Sequence, residues 1–388
     1  MRILMLNNEF PPLGGGTATV NKAILDQLRG VEGVYIDLVT SALGHEREEE
    51  AYSDRIRVVK LPVNSRNMHH ASVRQLLVYA WKTLRESRRR HRFQPYDFCF
   101  AWSAVPAGWV ALQLKRSQGL RYLVRVCGVD IPGFERRYRF IYPAITPVIR
   151  AVWREAECVI AKCRGEVDLI QRADPTVSPQ IIPNGVDLRM FAPPAGKLAH
   201  GNLRVICVGR LIERKGQRTL IEAAARLRQD GVDVEVELVG TGDAESAYRR
   251  LVVQKGLESR VHFSGYVSRE DVGHHFQNAD VFVLPSVNEG MSVSTLEAMA
   301  AGLPLIVTDT GGTEELVETG ENGFVFAPRD VAALVNRLRQ LAGNRDLVDS
   351  MGIASRRKAA RFSWNAARDR YLELFGVLSS QGQHVAAV

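Results

Sequence analysis

A stretch in the second half of the chain combines a strand end, a loop and a helix start. The residues from Val281 to Leu284 form a short apolar run with the length and composition of a buried parallel strand. The sequence that follows, PSVNEGMSVSTLEAMAAGLP, ends in Gly302 and Pro304, which are helix stop signals. The pattern predicts a strand, a loop and then a helix that begins near Ser292.

Two glutamates lie on either side of this predicted helix start. Glu289 falls in the loop, and Glu297 falls some five residues into the helix, roughly 7 Å along the axis at ~1.5 Å per residue. A helix N-terminus offers unpaired N–H groups and partial positive charge to a phosphate, and carboxylates accept hydrogen bonds from sugar hydroxyls. A nucleotide sugar has its parts in that order. The same spacing also fits a solvated loop glutamate and a surface helix glutamate.

Two cations follow another predicted strand, Arg204 to Val208. Gly209 opens the loop after this strand, and Arg210 and Lys215 lie in it. Arginine binds phosphate oxygens through two parallel hydrogen bonds, whereas lysine acts as a point charge. The two residues are therefore candidates for holding a diphosphate, and the alternative is a pair of solvated loop charges.

A glycine-rich loop joins the first predicted strand, Arg2 to Leu6, to a helix from about Thr17 to Leu28. The loop contains Gly14, Gly15 and Gly16, which allow a ligand to approach the backbone closely. It matches neither the dinucleotide fingerprint G-x-G-x-x-G nor a Walker loop. The residues alone leave open whether this loop binds a ligand or is a plain flexible connection.

Strands and helices alternate through both halves of the chain, which predicts two α/β domains with parallel sheets covered on both faces. The 388 residues are enough for two such domains, each with its own core. We place an N-terminal domain at residues 1–187, a second domain at 188–361, and a C-terminal helix with a disordered tail at 362–388. The stretch from Phe191 to Gly201, rich in Pro, Ala and Gly, marks the boundary.

The composition is that of a soluble globular protein, with 46% hydrophobic and 24% charged residues. Five cysteines without a C-x-x-C spacing indicate neither a disulfide framework nor a zinc site, and they favour a reducing cytoplasm. The first residues lack the features of a signal peptide, and no apolar run reaches 18 residues. We therefore expect no membrane-spanning helix.

The formal net charge of +8 is concentrated in the first half. Up to Asp187 there are 27 Lys and Arg against 19 Asp and Glu, and the remainder of the chain has equal numbers of both.

A helix predicted from Val73 to Arg92 carries an apolar stripe followed by arginines. The stripe is Val73, Leu76, Leu77, Ala80, Trp81 and Leu84, and the arginines are Arg85, Arg88, Arg89, Arg90 and Arg92. It is interpreted either as a core-facing helix with a solvated basic end or as a docking face for anionic lipid head groups. No nucleic-acid-binding module accompanies the charge, so no nucleic-acid partner is expected.

The segment that begins at Glu289 resembles the signature of family-4 retaining glycosyltransferases. The shared features are Glu-Gly, seven residues between two glutamates, and Glu-Ala-Met-Ala-Ala-Gly-Leu-Pro. The resemblance covers nearly the whole chain, is strongest from Val205 to Phe326, and implies the GT-B fold, with two Rossmann-like domains facing across a cleft. It implies catalytic roles for Glu289, Arg210 and Lys215. The residues that it assigns to donor binding are Gly15, Gly16, Gly209, Val267, Gly290, Met291, Ser292, Glu297 and Glu315.

One segment departs from the commonest pattern of this family. Many relatives have a histidine near the position of Cys127, and others have Gly-x-Asp-Val-Pro-Gly, which Gly128 to Gly133 resembles with Ile131 in place of Val. The departure argues against a histidine-assisted step at this position. Asp130 becomes the catalytic candidate here, for a sugar or acceptor contact.

The resemblance implies transfer of a hexose from a nucleotide diphosphate sugar, with retention, in cell-surface glycan or glycolipid biosynthesis. Fixed donors aimed at the departing diphosphate would stabilise the transition state. No Asp-x-Asp occurs in the chain, which agrees with a metal-independent site, and no cofactor is expected beside the nucleotide-sugar donor. The other expected partners are a glycan or lipid-linked acceptor and an anionic membrane surface, with the enzyme peripheral at its cytoplasmic face.

Two other functions fit part of the same pattern. A non-hydrolysing nucleotide-sugar epimerase has the same two-domain fold, but it lacks the two-glutamate signature. A catalytically silent nucleotide-sugar-binding protein is disfavoured because the glutamates and both loop cations are present together. Nicotinamide oxidoreduction is weaker still, since no G-x-G-x-x-G follows the first strand.

Overall fold

The computed structural model describes residues 1–65, 71–194, 196 and 201–383. Part of the predicted boundary stretch, residues 195 and 197–200, lies outside the described residues. The predicted C-terminal helix extends to Gln383, and what remains of the predicted tail, residues 384–388, also lies outside them.

The described strands are β1 (Arg2–Leu6), β2 (Tyr35–Leu43), β3 (Glu48–Ser53), β4 (Ile56–Ser65), β5 (Phe98–Trp102), β6 (Tyr122–Arg125), β7 (Cys158–Ala161), β8 (Gln180–Ile181), β9 (Leu203–Val208), β10 (Val234–Val239), β11 (Val261–Gly265), β12 (Val281–Leu284), β13 (Leu305–Thr308) and β14 (Gly323–Phe326). The described α-helices are α1 (Gly16–Leu28), α2 (Val73–Phe93), α3 (Trp109–Gln118), α4 (Tyr142–Glu155), α5 (Arg164–Ala173), α6 (Gln217–Gln229), α7 (Glu245–Gln254), α8 (Val272–Gln277), α9 (Val293–Ala300), α10 (Thr313–Leu316), α11 (Val331–Ala342), α12 (Arg345–Ala359) and α13 (Trp364–Gln383). No described helix is both long and apolar enough to cross a membrane.

The chain divides into two compact units. Unit 1 contains Met1–Asn184 and Trp364–Val388, and unit 2 contains Gly185–Ser363. The chain thus passes from unit 1 to unit 2 after Asn184 and returns to unit 1 at Trp364. Each unit has its own sheet, and the prediction of two α/β domains built on parallel strands is confirmed.

The sheet of unit 1 has the order β3-β4-β2-β1-β5-β6-β7-β8 and is parallel except for β3. Its central strand β5 is buried from end to end, as its continuous apolar run indicates, which is typical of a parallel strand covered on both faces. Helix α13 belongs to this unit, where Tyr371 and Phe375 pack on Phe100. The buried apolar residues of α13, among them Tyr371 and Phe375, therefore form part of this core.

The sheet of unit 2 has the order β11-β10-β9-β12-β13-β14, and all its strands are parallel. Strands β9 and β12 are neighbours, although two strand–helix repeats separate them in sequence. After β9 the chain adds β10 and β11 on one side of the sheet, and after β12 it adds β13 and β14 on the other side. This arrangement is the doubly wound one, whose switch point lies between β9 and β12.

The polar, acidic segment Glu46 to Glu50 predicts a plain connection between two strands, and this prediction is wrong. Instead, Glu48–Ser53 forms β3 and pairs antiparallel with β4. Ion pairs compensate the low strand propensity of glutamate, and Lys60 lies within 3.5 Å of both Glu48 and Glu50. The stripe on α2 does not face the core along its length: Val73, Leu77 and Trp81 are each at least 60% exposed.

Candidate active site

The candidate site of unit 2 lies where β9 and β12 end. In doubly wound sheets, ligands bind at the carboxyl ends of the strands on either side of the switch point. The loop after β9 contains Gly209, Arg210 and Lys215, and the loop after β12 contains Glu289 and leads into α9. The sheet order therefore brings together two sequence segments that are about seventy residues apart.

Glycines allow the backbones of these loops to approach one another closely. Gly216 has a φ of +71°, and a Cβ there would lie 1.9 Å from the carbonyl oxygen of Pro285. On the other side of the loop after β12, a Cβ on Gly312 would lie 2.5 Å from the oxygen of Gly290. Larger residues at either position would push the loops apart.

Glu289 forms an ion pair with one of the two predicted cations. Its Oε1 lies 2.7 Å from Nζ of Lys215, and it accepts a hydrogen bond from the Ser286 hydroxyl at 3.0 Å. The side chains of Glu289 and Lys215 are each only 13% exposed. Burial by itself raises the pKa of Glu289, but Lys215 and Arg214 together hold it below its usual value. Glu289 is therefore an ionised acceptor beside a cation at the switch point.

Arg214 is a third cation of this site, and the sequence prediction did not include it. Its Nη1 donates a hydrogen bond to the Asn288 carbonyl at 2.7 Å and lies 3.5 Å from Oε1 of Glu289. Arg210 follows β9 directly on the same loop, where its carbonyl accepts hydrogen bonds from Ile212 and Gln217. The position of Arg214 beside Lys215 was the available signal, but sequence spacing does not show which side chain faces the next loop.

Helix α9 begins as the sequence predicts, with Ser292 as its N-cap. The Ser292 hydroxyl accepts a hydrogen bond from the N–H of Thr295 at 3.3 Å. The first N–H groups of a helix have no partner within the helix, so this terminus is suited to an anion. Gly290 and Met291 connect it to Glu289, and a small pit beside them is lined by Ser292, Gly312 and Thr310.

Glu297 lies in the middle of α9 and is only 7% exposed, so it is not a surface helix residue. Burial raises its pKa to about 7, and Arg269, at 3.7 Å, offsets part of that rise. A buried carboxyl with a raised pKa near a candidate site is a functional candidate. The two glutamates thus differ in the direction of their pKa shifts: the cations beside Glu289 lower its pKa, and burial raises that of Glu297.

The remaining predicted residues of unit 2 lie along the same carboxyl edge. A Cβ on Gly240 would lie 2.3 Å from the Gly209 carbonyl oxygen, and the Gly240 N–H donates a hydrogen bond to the Gly265 carbonyl. The ends of β9, β10 and β11 therefore lie close together. Val267 follows β11 at this edge, and Glu315 lies on α10 after β13. The donor-binding role of each remains a prediction.

Three predicted residues belong to unit 1. Gly15 is the N-cap of α1 and Gly16 is its first residue, at the carboxyl end of β1. Asp130 is 4% exposed, and its two carboxylate oxygens accept hydrogen bonds from the N–H groups of Ala104 and Cys127. It therefore joins the segments after β5 and β6, a structural role that the sequence did not indicate. Its contact with a sugar or acceptor remains a prediction.

Comparison with known proteins decides the family. The model for glycosyl transferases group 1 matches residues 192–358, and the model for a glycosyl transferase 4-like domain matches residues 15–185. Together they cover most of both units. The chain belongs to the group 1 glycosyltransferases.

Two relatives illustrate the range of this glycosyltransferase family. A GDP-mannose-dependent alpha-(1-6)-phosphatidylinositol monomannoside mannosyltransferase of Mycolicibacterium smegmatis is 26% identical, over 96% of this chain and 97% of its own. The putative colanic acid biosynthesis glycosyltransferase WcaL of Escherichia coli is 31% identical over 60% of this chain and 58% of its own. Glycolipid and polysaccharide biosynthesis are both represented.

Solved structures show the same fold as this glycosyltransferase. The sucrose-phosphate synthase of Thermosynechococcus elongatus superposes with a TM-score of 0.85 at 23% identity, covering 98% of this chain and all of that chain. HepE of Anabaena, in complex with UDP and glucose, has a TM-score of 0.76 at 21% identity, covering 97% of this chain and 99% of its own. The predicted GT-B fold is confirmed.

An exposed stripe on α2 is the second notable surface of the glycosyltransferase, and it lies in unit 1. Val73, Leu77 and Trp81 recur every fourth residue on the exposed face of the helix, and Arg85 continues the series. Beyond them, an open groove of about 1150 Å³ is lined by seven arginines and two carboxylates. The arginines are Arg2, Arg57, Arg85, Arg88, Arg89, Arg90 and Arg92, and the carboxylates belong to Asp37 and Glu49.

Proposed function

We propose that this glycosyltransferase transfers a hexose from a nucleoside diphosphate sugar, with retention of configuration and without a metal ion. The observation that carries the proposal is the Lys215–Glu289 ion pair at the switch point of unit 2. A cation suited to phosphate and an acceptor suited to sugar hydroxyls lie side by side there, and the acceptor is in the chain segment before α9. Retention is taken from the family signature around the two glutamates.

In this proposal the site stabilises the negative charge that develops on the departing diphosphate. Lys215, Arg210 and the first N–H groups of α9 are fixed donors, and fixed donors act without reorganisation during the reaction. Glu289 accepts hydrogen bonds from hydroxyl groups of the transferred sugar, and Glu297 accepts them from the ribose. The name of the mannosyltransferase relative and a solved complex of HepE with UDP-glucose make GDP-mannose and UDP-glucose the first donors to test.

A ligand screen followed by a transfer assay tests the proposal. Binding of a nucleotide sugar to the native state raises the melting temperature, so we expect one of the two donors to do so in the presence of EDTA. With that donor and glycolipid acceptors, Lys215→Ala should lower turnover at saturating donor by about 10²–10³-fold, as for other preorganised charge stabilisers. Lys255→Ala, which removes an exposed lysine directly after α7, is the matched control.

Four outcomes would contradict this proposal or a part of it. Conversion of the donor to its epimer without an acceptor would show an epimerase, and binding without turnover would show a silent binding protein. Loss of transfer in EDTA that returns with Mg²⁺ would contradict the metal-independent site. Near-normal turnover of Lys215→Ala would remove the lysine from the diphosphate site.

We further propose that the acceptor is lipid-linked and that the exposed stripe of α2 binds an anionic membrane surface. The stripe continues from apolar residues into arginines, and the Arg85 guanidinium lies 6.0 Å from the ring of Trp81. Such a helix places its apolar face in the head-group boundary and its cations on anionic lipid. A second segment of unit 1 has the same composition, since Phe140 is 79% exposed and the Arg139 guanidinium lies 4.5 Å from its ring.

The five arginines of α2 differ in the charge that they offer to a lipid. Arg90 is bound by Glu49 and Glu86 at 2.7 and 2.8 Å and is only 12% exposed, and Arg89 also pairs with Glu86. Among the described residues, Arg85, Arg88 and Arg92 have no carboxylate within ion-pair distance. These three are the residues whose charge should attract the membrane.

Vesicle co-sedimentation tests the membrane surface. We expect the protein to bind phosphatidylglycerol vesicles more than phosphatidylcholine vesicles at low salt, and to be released at 1 M salt, where the Debye length is ~3 Å. Replacing Arg85, Arg88 and Arg92 by Glu should abolish the difference, whereas replacing the exposed Arg226, Arg250 and Arg361 of unit 2 changes net charge equally and should not. Equal binding to both vesicle types, or unchanged binding of the first variant, would favour a soluble acceptor.

A further inference from the structure

Arg214 contacts three consecutive residues of the loop after β12. It lies in a short 3₁₀ helix, Glu213–Lys215, which follows β9 in the chain. Its carbonyl accepts a hydrogen bond from the N–H of Val287 at 2.8 Å, its Nη1 donates to the carbonyl of Asn288 at 2.7 Å, and the same nitrogen lies 3.5 Å from Oε1 of Glu289. The two backbone bonds fix the residues immediately before Glu289, and the ion pair holds the Glu289 side chain.

The contacts of Lys215 differ from those of Arg214. Nζ of Lys215 is bonded to the Glu289 carboxylate itself at 2.7 Å, where it is available to a phosphate or a carboxylate. Arg214 instead bonds a backbone carbonyl that no ligand replaces, and its side chain is only 20% exposed. A guanidinium has several N–H donors in a rigid plane, so it can bond a carbonyl and a carboxylate at once, whereas an ammonium group does this poorly.

We propose that Arg214 is a positioning residue for the transfer reaction, which holds the loop after β12 so that Glu289 stands beside Lys215 before the donor binds. The inference rests on the proposed function, because it assigns Glu289 to the transferred sugar. Arg214 itself touches neither donor nor acceptor. It lowers the freedom of the loop, and a displacement of about 1 Å of a catalytic group can lower the rate by about 10²-fold.

Hydrogen exchange gives a test that does not depend on activity. In Arg214→Met, backbone amides from Val287 to Met291 should exchange at least about tenfold faster than in the wild type, because the side-chain bond to Asn288 is lost. Arg218→Met is the matched control: Arg218 is 57% exposed on α6 and pairs only loosely with Glu222, at 3.8 Å. The control should leave exchange in this loop unchanged, and circular dichroism confirms that both variants are folded.

Kinetics with the donor found in the ligand screen give the second test. Arg214→Met should lower kcat about tenfold or more while KM for the donor changes less than about threefold. Since one of two cations beside Glu289 is removed, the pKa of this carboxyl rises, and the acid limb of the kcat/KM profile should move to higher pH. Arg214→Lys keeps the charge and should restore the pH profile but only part of kcat.

The two tests separate the possible failures. If the amides from Val287 to Met291 exchange at the wild-type rate in Arg214→Met, the inference is overturned whatever the activity of this variant. It is also overturned if these amides exchange faster but kcat stays at its wild-type value. If the wild-type protein transfers no sugar from any donor, the proposed function fails, while the exchange result still decides whether Arg214 holds the loop. Equal kinetic losses in Arg214→Met and Arg218→Met would show a nonspecific effect of lost charge and would also overturn the inference.

Discussion

At the residue scale, the two glutamates of the signature show how environment divides one side-chain type into two roles. Glu289 lies beside two cations, which favour its ionised form, whereas Glu297 is buried in α9 with Arg269 at 3.7 Å. Buried carboxyls that lack close partners are protonated more easily. The difference in pKa follows from the cations that lie near each carboxyl group. It leads to different expectations for ligand binding.

We predict that Glu297→Ala weakens binding of the bare nucleoside diphosphate, whereas Glu289→Ala does not. Loss of a charged hydrogen bond to the ribose costs about 1.5–3 kcal/mol, which is about tenfold or more in affinity. Removal of Glu289 leaves Lys215 without its carboxylate partner, so the lysine is, if anything, more available to phosphate. Calorimetry with GDP and UDP measures both effects, and equal losses in the two variants would refute the assignment.

At the element scale, the site depends on loops that touch through their backbones. The loop after β9 meets the loop after β12 at Gly216 and Pro285, and the loop after β13 meets it again at Gly312 and Gly290. Parallel strands end at the same edge of a sheet, so their loops are crowded there, and glycine removes the side chain that would keep them apart. These contacts place Lys215 and Glu289 at ion-pair distance.

Gly216→Ala should therefore disturb the site more than an equally strained glycine replacement elsewhere. Gly231 is the matched control, because its φ of +73° equals that of Gly216 within a few degrees and a Cβ there would meet nothing within 4 Å. Gly231→Ala should cost about 1–2 kcal/mol of stability through backbone strain alone. Gly216→Ala should cost more and should also lower turnover, as measured by thermal unfolding and sugar transfer. Equal effects of the two replacements would contradict the role of the close approach.

At the scale of the whole molecule, the raised pKa of Glu297 predicts how stability depends on pH. Burial raises this pKa from its usual 4.5 to about 7, so the folded state keeps a proton that the unfolded chain releases. The resulting stabilisation is fully present below pH 4.5 and is lost as the pH rises through 7. At 1.36 kcal/mol per pKa unit, this loss amounts to about 3 kcal/mol.

Glu297→Gln should therefore gain stability relative to the wild type as the pH rises, with a difference of about 3 kcal/mol at pH 8 that nearly disappears at pH 4.5. Glu258→Gln, which makes the same chemical change at an exposed residue, should show no such trend. Circular dichroism must follow this unfolding, because all five tryptophans are in unit 1 and their fluorescence does not report on Glu297 directly. A difference that stays constant with pH would contradict the raised pKa.

Much of the fold could be predicted because local patterns carry it. The short apolar run of β12 and the stop signals after α9 gave that strand and helix, and the serine before α9 is its N-cap. Local patterns did not decide the features that depend on distant residues. Strand β3 forms because cations of the neighbouring strand pair with its glutamates, and the stripe on α2 is exposed although its spacing is that of a core-facing helix.

The sequence by itself determined the alternation of strands and helices, the two-glutamate signature and the concentration of positive charge before Asp187, because each depends on residues near one another along the chain. Only the tertiary structure decided which cations meet which carboxylates. The strand order puts β9 beside β12, and this placement brings Arg214 and Lys215 against Glu289 across more than seventy residues of sequence. Such pairings depend on loop directions at a shared sheet edge, and spacing along the chain does not contain them.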